Sequence, residues 1–160
     1  MNTDSATVMG KPNQLLVLTL GGERYGLVLS AVDSVVRAVD ITPLPQAPDI
    51  VLGVVNVRGR VIPVINLRRR FRLPEREIVL TDQLIIAHTA RRPVALVADT
   101  VSDVLEYPES SLAEAQSILA DADYIEGVVK LSDGLILIHN LDTFLSLEEE
   151  TSLDHAMESG

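Results

Sequence analysis

Gly53-Val54-Val55-Asn56-Val57-Arg58-Gly59-Arg60-Val61-Ile62-Pro63-Val64-Ile65-Asn66-Leu67 decides how this chain folds. Gly53 opens a β-branched run to Val57, Arg58-Gly59 is a tight turn, and Arg60 to Ile65 returns as a second strand. Pro63 lacks a backbone N–H, so that return strand is expected at an edge or a bulge. Asn66 can accept a backbone N–H with its side-chain oxygen and cap a short helix through Phe71, which Leu73-Pro74 stops.

The same sentence is written again downstream. Without a gap, Gly127-Val128-Val129 falls under Gly53-Val54-Val55, Ile136 under Ile62, Ile138 under Val64 and Asn140-Leu141 under Asn66-Leu67. Upstream, a second ungapped alignment sets Gln83 under Gln14, Leu84 under Leu15, Ile85 under Leu16, Leu96 under Leu27, Val97 under Val28, Val101 under Val32 and Val104 under Val35. Shared order, glycine and cap are what an internal duplication leaves behind. The copies span about 14–72 and 83–145.

Gln14 to Leu20 and Tyr25 to Leu29 flank Gly21-Gly22 as a hairpin, and Ser30 to Val39 reads as a short turn followed by a strand. About five short strands per copy, separated by Gly, Pro and polar turns, predict an all-β chain in which each copy forms a small closed barrel. Units of roughly 60 residues bury too little apolar surface to be comfortable alone, so the copies should pack together, share a core and leave a groove between them. Residues 1–13 are expected to be a flexible tail. The acidic stretch 148–160 is expected to be disordered.

Apolar residues make up 47% of the chain and aromatic ones only 3%, so the core must be aliphatic. No cysteine is present, which removes disulfides, thiolate nucleophiles and Cys-based metal sites and fits a reducing cytoplasm. Met1 to Gly10 carries neither a basic n-region nor a sustained apolar stretch, and no apolar run reaches the roughly 18 residues of a membrane span. Most of the positive charge is arginine between Arg58 and Arg76, a basic middle that points to an acidic partner surface or to a solvated turn and helix.

Reactive constellations are missing. His88, His139 and His155 have no convergent partner and read as structural, His155 in a frayed tail. Asp121, Asp123 and Glu126 lack the spacing of a calcium loop. The pairs Asp99-Thr100 and Asp142-Thr143 occupy unrelated repeat positions, so they cannot build the symmetric carboxylate dyad of a two-barrel protease. A nucleic-acid binder using Arg58 to Arg72 is opposed by a net charge of −10 and by aromatics that are scattered along the chain. These residues therefore predict no catalytic site, no cofactor and no metal.

The Gly53 to Arg68 stretch resembles the signature of CheW-like domains, roughly G-V-I-N-L-R-G-x-V-x-P-V-I-D-L. Val57 replaces a usual leucine and Asn66 a usual aspartate, both keeping the local physics. The likeness extends to Tyr25-Gly26, Val32 to Val36, Thr42-Pro43-Leu44-Pro45 and Ala98 to Val104, covering about Gln14 to Leu147. It implies two packed, five-stranded SH3-like barrels with no active site. The implied role is an adaptor between chemoreceptor cytoplasmic tips and the regulatory domain of the histidine kinase CheA, held in the cytoplasm, recruited to receptor arrays and able to join rings or arrays. Flagellar, pilus-based and transcriptional outputs all remain open. Motif position further implies that Val32, Gly53 and Arg58 lie where docking is sensitive. For Arg58 the repeat adds an independent reason, because the second copy builds the same turn with Ser132-Asp133-Gly134 and needs no arginine. Its guanidinium would pair with a partner or brace a neighbouring loop. Gly53 and Val32 recur as Gly127 and Val101, so backbone conformation and core packing are their competing explanations.

Overall fold

A computed structural model describes residues 13–37, 40–114, 124–132 and 134–159. The expected N-terminal tail, apart from Asn13, and the acidic turn at Asp121 and Asp123 lie outside the described residues. Eleven strands follow one another among them: β1 Gln14–Leu20, β2 Glu23–Val28, β3 Val32–Arg37, β4 Val51–Val57, β5 Arg60–Ile65, β6 Gln83–His88, β7 Pro93–Ala98, β8 Thr100–Glu106, β9 Leu112–Glu114, β10 Ile125–Leu131 and β11 Gly134–His139. Helix α1 is Leu67–Arg70 and helix α2 is Leu147–Ser159.

The duplication is visible strand by strand, but a copy does not close its own barrel. One sheet runs β8-β1-β2-β11-β10-β9 and the other β3-β6-β7-β5-β4. Each copy's third strand thus leaves its own hairpin and pairs with the first strand of the other copy. The two exchanges use equivalent registers, Leu15 opposite Leu105 and Leu84 opposite Val36. Parallel pairs β2–β11 and β5–β7 complete the interlock. Closure is equivalent too: past β3 the chain reaches Thr42, which bridges to Val54 of β4, and past β8 it forms β9, where Ala113 pairs with Val128 of β10. The fold is therefore two SH3-like barrels, each assembled from both copies.

Three cores result. Leu15, Val17, Val129, Ile136 and Ile138 fill barrel one, and their repeat partners Leu84, Ile86, Val55, Ile62 and Val64 fill barrel two. The alternate residues of the same strands, among them Leu16, Leu18, Leu20, Ile65, Ile85 and Leu96, point the other way and join the largest core, the seam between the barrels. With both faces buried, β1 and β6 read as continuous apolar runs rather than as an alternation. Pro63 lies in β5, between β7 and β4, yet the ladder to β7 is confined to Val64 and Ile65. That leaves the proline on a locally free stretch of strand.

Asn66 caps α1 as its side chain suggests, accepting the Arg69 N–H at 3.1 Å, and Asn140 repeats the device on Asp142 at 3.1 Å. The C-terminal stretch is ordered rather than disordered: α2 buries Leu153 and Ala156, and His155 sits within this helix. Its start is a reciprocal capping box, in which the Ser146 hydroxyl oxygen accepts the Glu149 N–H at 3.1 Å and Glu149 Oε1 accepts the Ser146 N–H at 2.8 Å. Glu148, Glu149 and Glu150 then face the positive end of the helix dipole.

Candidate protein-docking site

The β4–β5 turn holds Arg58 at φ 54° and Gly59 at φ 84°, and Asn56 Oδ1 accepts the Gly59 N–H at 2.9 Å. Both central residues have positive φ, as in the turns whose twist matches a hairpin. Glycine or asparagine adopts that conformation cheaply, whereas arginine pays about 1–2 kcal/mol of steric strain. Arg58 is exposed, and among the described residues its guanidinium makes no hydrogen bond or ion pair. Nearby on the same hairpin, Asn56 is exposed and Val61, its cross-strand partner, keeps 53% of its surface.

Gly53 and Val32 belong to the same barrel but to different stations in it. Gly53 is buried at a register shift in β4 and has φ 155°. A Cβ there would stand 2.3 Å from the Thr42 carbonyl oxygen, so the closing segment crosses too near for any side chain. Val32 starts β3, pairs with Ala87 and packs half-buried against the seam. Of the three, Arg58 is exposed, Val32 is half-buried and Gly53 is buried.

Most arginines of the basic middle are engaged inside the fold. Arg68 forks onto Asp99 with both contacts at 2.7 Å, and Arg76 reaches Asp82 at 2.7 Å and Asp99 at 2.6 Å. Arg70 clamps Glu149 of α2 at 2.7 Å, and Arg69 pairs with Glu75 at 2.9 Å. Outside that stretch, Arg92 holds Glu150 at 2.9 Å and also pairs with Asp154. Burial alone would raise the Asp99 carboxyl, but hydrogen bonds from Arg68 and the Gly21 N–H, with the charges of Arg68 and Arg76, hold it below its usual range. Asp82, nearly fully buried, is held down chiefly by its bond from Arg76. These pairs fasten the 72–82 connection and α2 to the barrels instead of forming a basic footprint.

The candidate dyad carboxylates have separate duties as well. Asp99 serves Arg68 and Arg76, while Asp142 Oδ1 accepts the Ala90 N–H at 2.7 Å. His88 faces Asp33 at 3.0 Å on an exposed strand end. Among the described residues, no three metal-ligating side chains converge, and no helix is long and apolar enough to cross a membrane. One gathering escaped sequence reasoning: Tyr25, Phe71, Tyr124, Phe144 and His139 come from distant segments and touch in a single cluster. Their spacing along the chain carries no signal of it.

Fold and surface together define a duplicated, strand-exchanged, two-barrel β protein that carries an exposed arginine, unpaired among the described residues, at a hairpin tip. The chain belongs to the CheW-like domain family, which matches residues 14–149. It is 28% identical to the chemotaxis protein CheW of Klebsiella aerogenes, covering 91% of this chain and 89% of that one. Identity to the chemotaxis protein CheW of Bacillus subtilis is 31%, over 87% and 90%. The crystal structure of the scaffolding protein TtCheW from Thermoanaerobacter tengcongensis superposes with a TM-score of 0.79 at 31% identity, covering 87% of this chain and 96% of that one.

Proposed function

We propose that this protein is a non-enzymatic scaffold that couples chemoreceptors to the histidine kinase CheA, acting in the cytoplasm and recruited to receptor arrays through protein contacts. Arg58 carries the site assignment: it occupies a strained turn position, is exposed, and has no partner among the described residues. A residue that costs conformational energy and returns no contact within the fold is kept for an outside one. The kinase's regulatory barrel would meet barrel two at the tip formed by Arg58, Asn56 and Val61. A receptor helix tip would seat beside the seam, near Val32, where apolar side chains already approach the surface. Fixing both partners in one geometry lets receptor motion shift the kinase between conformers through differential contacts. Repeated barrel-end contacts extend the same chemistry into rings or arrays.

Such a role needs no cofactor and no bond-making step, and no contact with nucleic acid. An adaptor in a pilus or gene-regulatory pathway uses the same surfaces. Co-sedimentation with receptor-containing membranes and CheA tests the proposal. The wild-type chain should bring the kinase down with the membranes, and Arg58→Ala should reduce kinase recovery while leaving the circular-dichroism spectrum unchanged. Equal recovery with and without Arg58 removes the site assignment; failure of the wild-type chain to form the three-way complex removes the function.

A further inference from the structure

Helix α2 is an addition to the barrels rather than a part of them. The last strand ends at His139, and the family match stops at residue 149, near the start of the helix. Copy one manages without a counterpart: its equivalent stretch begins at Leu73 and runs to β6 with no helix. What holds α2 down is largely ionic. Arg70 of α1 forks onto Glu149 with both contacts at 2.7 Å, and Arg92, in the turn between β6 and β7, donates to Glu150 at 2.9 Å and also pairs with Asp154. One arginine comes from each copy, so the helix bridges the two. Its apolar share is small: Leu153 and Ala156 are buried and Met157 is half-buried, on the same helix face as Glu149 and Glu150.

An element that buries so few apolar side chains belongs to the low end of local stability and can open while the rest stays folded. Opening would leave two cations in an awkward place. The Arg70 and Arg92 side chains keep only 12% and 14% of their surface, beside the apolar seam that Leu153 joins. A largely buried arginine stripped of its carboxylate is strongly destabilising. Exchange avoids that cost, because a second acidic helix taking the place of α2 keeps both arginines paired.

We propose that α2 is an autoinhibitory strap, which occupies within the chain a groove for an acidic amphipathic helix of a partner protein. The partner docks on Arg70, Arg92 and the seam by displacing α2. Its recognition pattern is the one α2 itself displays: adjacent carboxylates at Glu149-Glu150, then Leu153-Asp154 and Ala156 on the following turns. The proposal goes beyond the scaffold role and does not rest on it.

The test uses the full chain and a fluorescent peptide of residues 145–159 as the probe. The wild-type chain should bind the peptide weakly, because its own α2 competes at high effective concentration. Glu150→Arg with Asp154→Arg sets like charge against Arg92 and frees α2 while leaving the groove intact, so peptide affinity should rise by about tenfold or more. Adding Arg92→Glu should remove that gain, and a peptide carrying the same two arginines should restore it. In the wild-type chain, α2 amides should exchange faster than those of β1 and β6, and faster still at high salt. Equal peptide affinity with α2 held or freed, loss of the β spectrum on freeing it, no recovery by the charge-swapped peptide, or α2 exchange as slow as that of β1 each overturns the strap. A wild-type dimer with exchanged helices would put a second copy in the groove and overturn the partner.

Discussion

Hairpin β4–β5 and hairpin β10–β11 are one structure built twice, and their differences separate what the fold needs from what it carries. Both have a register shift at the glycine, a two-residue turn, a central pair facing the barrel interior and an asparagine cap. Where they agree, as at Ile62 and Ile136 or Leu67 and Leu141, the side chains are buried in equivalent places. Where they differ, one copy has departed from what the scaffold tolerates cheaply: Arg58 against Ser132 at the turn, and His139 against Ile65 at the seam. The two departures mark the hairpin tip proposed for docking and the aromatic cluster. A duplicated protein thus supplies its own control.

The most drastic way to break the comparison is to separate the copies. Each barrel draws strands from both, so a chain cut within 74–80 gives two pieces that each lack at least two strands of both sheets. Each piece alone should be unfolded by circular dichroism, and mixing should restore the β spectrum. Independent folding of either piece would mean that a copy can close on itself.

Next in size is Gly53→Ala. Its Cβ meets backbone at 2.3 Å, which cannot give way, and a loss of about 4 kcal/mol or more is expected in urea unfolding. At the equivalent Gly127 the nearest atom is the Leu112 Cδ1 at 3.0 Å, the end of a half-exposed side chain. Gly127→Ala should therefore cost no more than about 1 kcal/mol. Similar costs at the two sites would show that close approach is not what demands glycine at Gly53.

How far the sequence could be read follows from the same contrast. Local periodicity and the repeated cap and turn located the hairpins, because strand patterning and capping depend on neighbours along the chain. Strand exchange was not legible: identical registers serve β1 with β8 and β6 with β3, or each within its own copy, and periodicity does not say which copy supplies the partner. Helix α2 left a usable signal, Ser146 three residues before Glu149 with acid in the first turn and Leu153, Ala156 and Met157 at helical spacing, but its run of glutamates reads as a solvated tail. Arg58 stood out by its place in the signature and because the second copy lacks it. The ion pairs that consume Arg68, Arg70 and Arg76 join residues up to 79 apart, and charge patterning along the chain cannot foresee them.

The seam histidine gives a pH-dependent version of the comparison. Burial pushes His139 down to about 3, whereas in the unfolded chain it titrates near its ordinary value of about 6.5. Between those values the unfolded chain takes up a proton that the folded one refuses. Stability is therefore full above pH ~6.5 and falls as pH drops, at up to about 1.4 kcal/mol per unit. Asp82, Asp99 and Glu149, all held below their usual range, contribute in a lower window: their stabilisation is present above about pH 4 and is lost only below it. His139→Ile, which copies Ile65, should flatten the stability profile between about pH 6.5 and 5. An unchanged slope in chemical denaturation would place the acid sensitivity elsewhere.

The smallest effect on stability is the sharpest test of Arg58. Arg58→Gly removes a side chain from a left-handed turn position and should raise stability by about 0.5–1 kcal/mol. Arg58→Ala keeps the strained backbone and removes only the guanidinium, so it should fall within about 0.5 kcal/mol of wild type. Both should weaken kinase docking to the same degree, because both delete the same donor fork. A brace and a docking group predict opposite signs for Arg58→Gly: a guanidinium that held a loop would make the variant less stable, and its docking defect would then follow from the fold. A more stable chain that docks less well leaves the partner as the only place where Arg58 returns what its conformation costs.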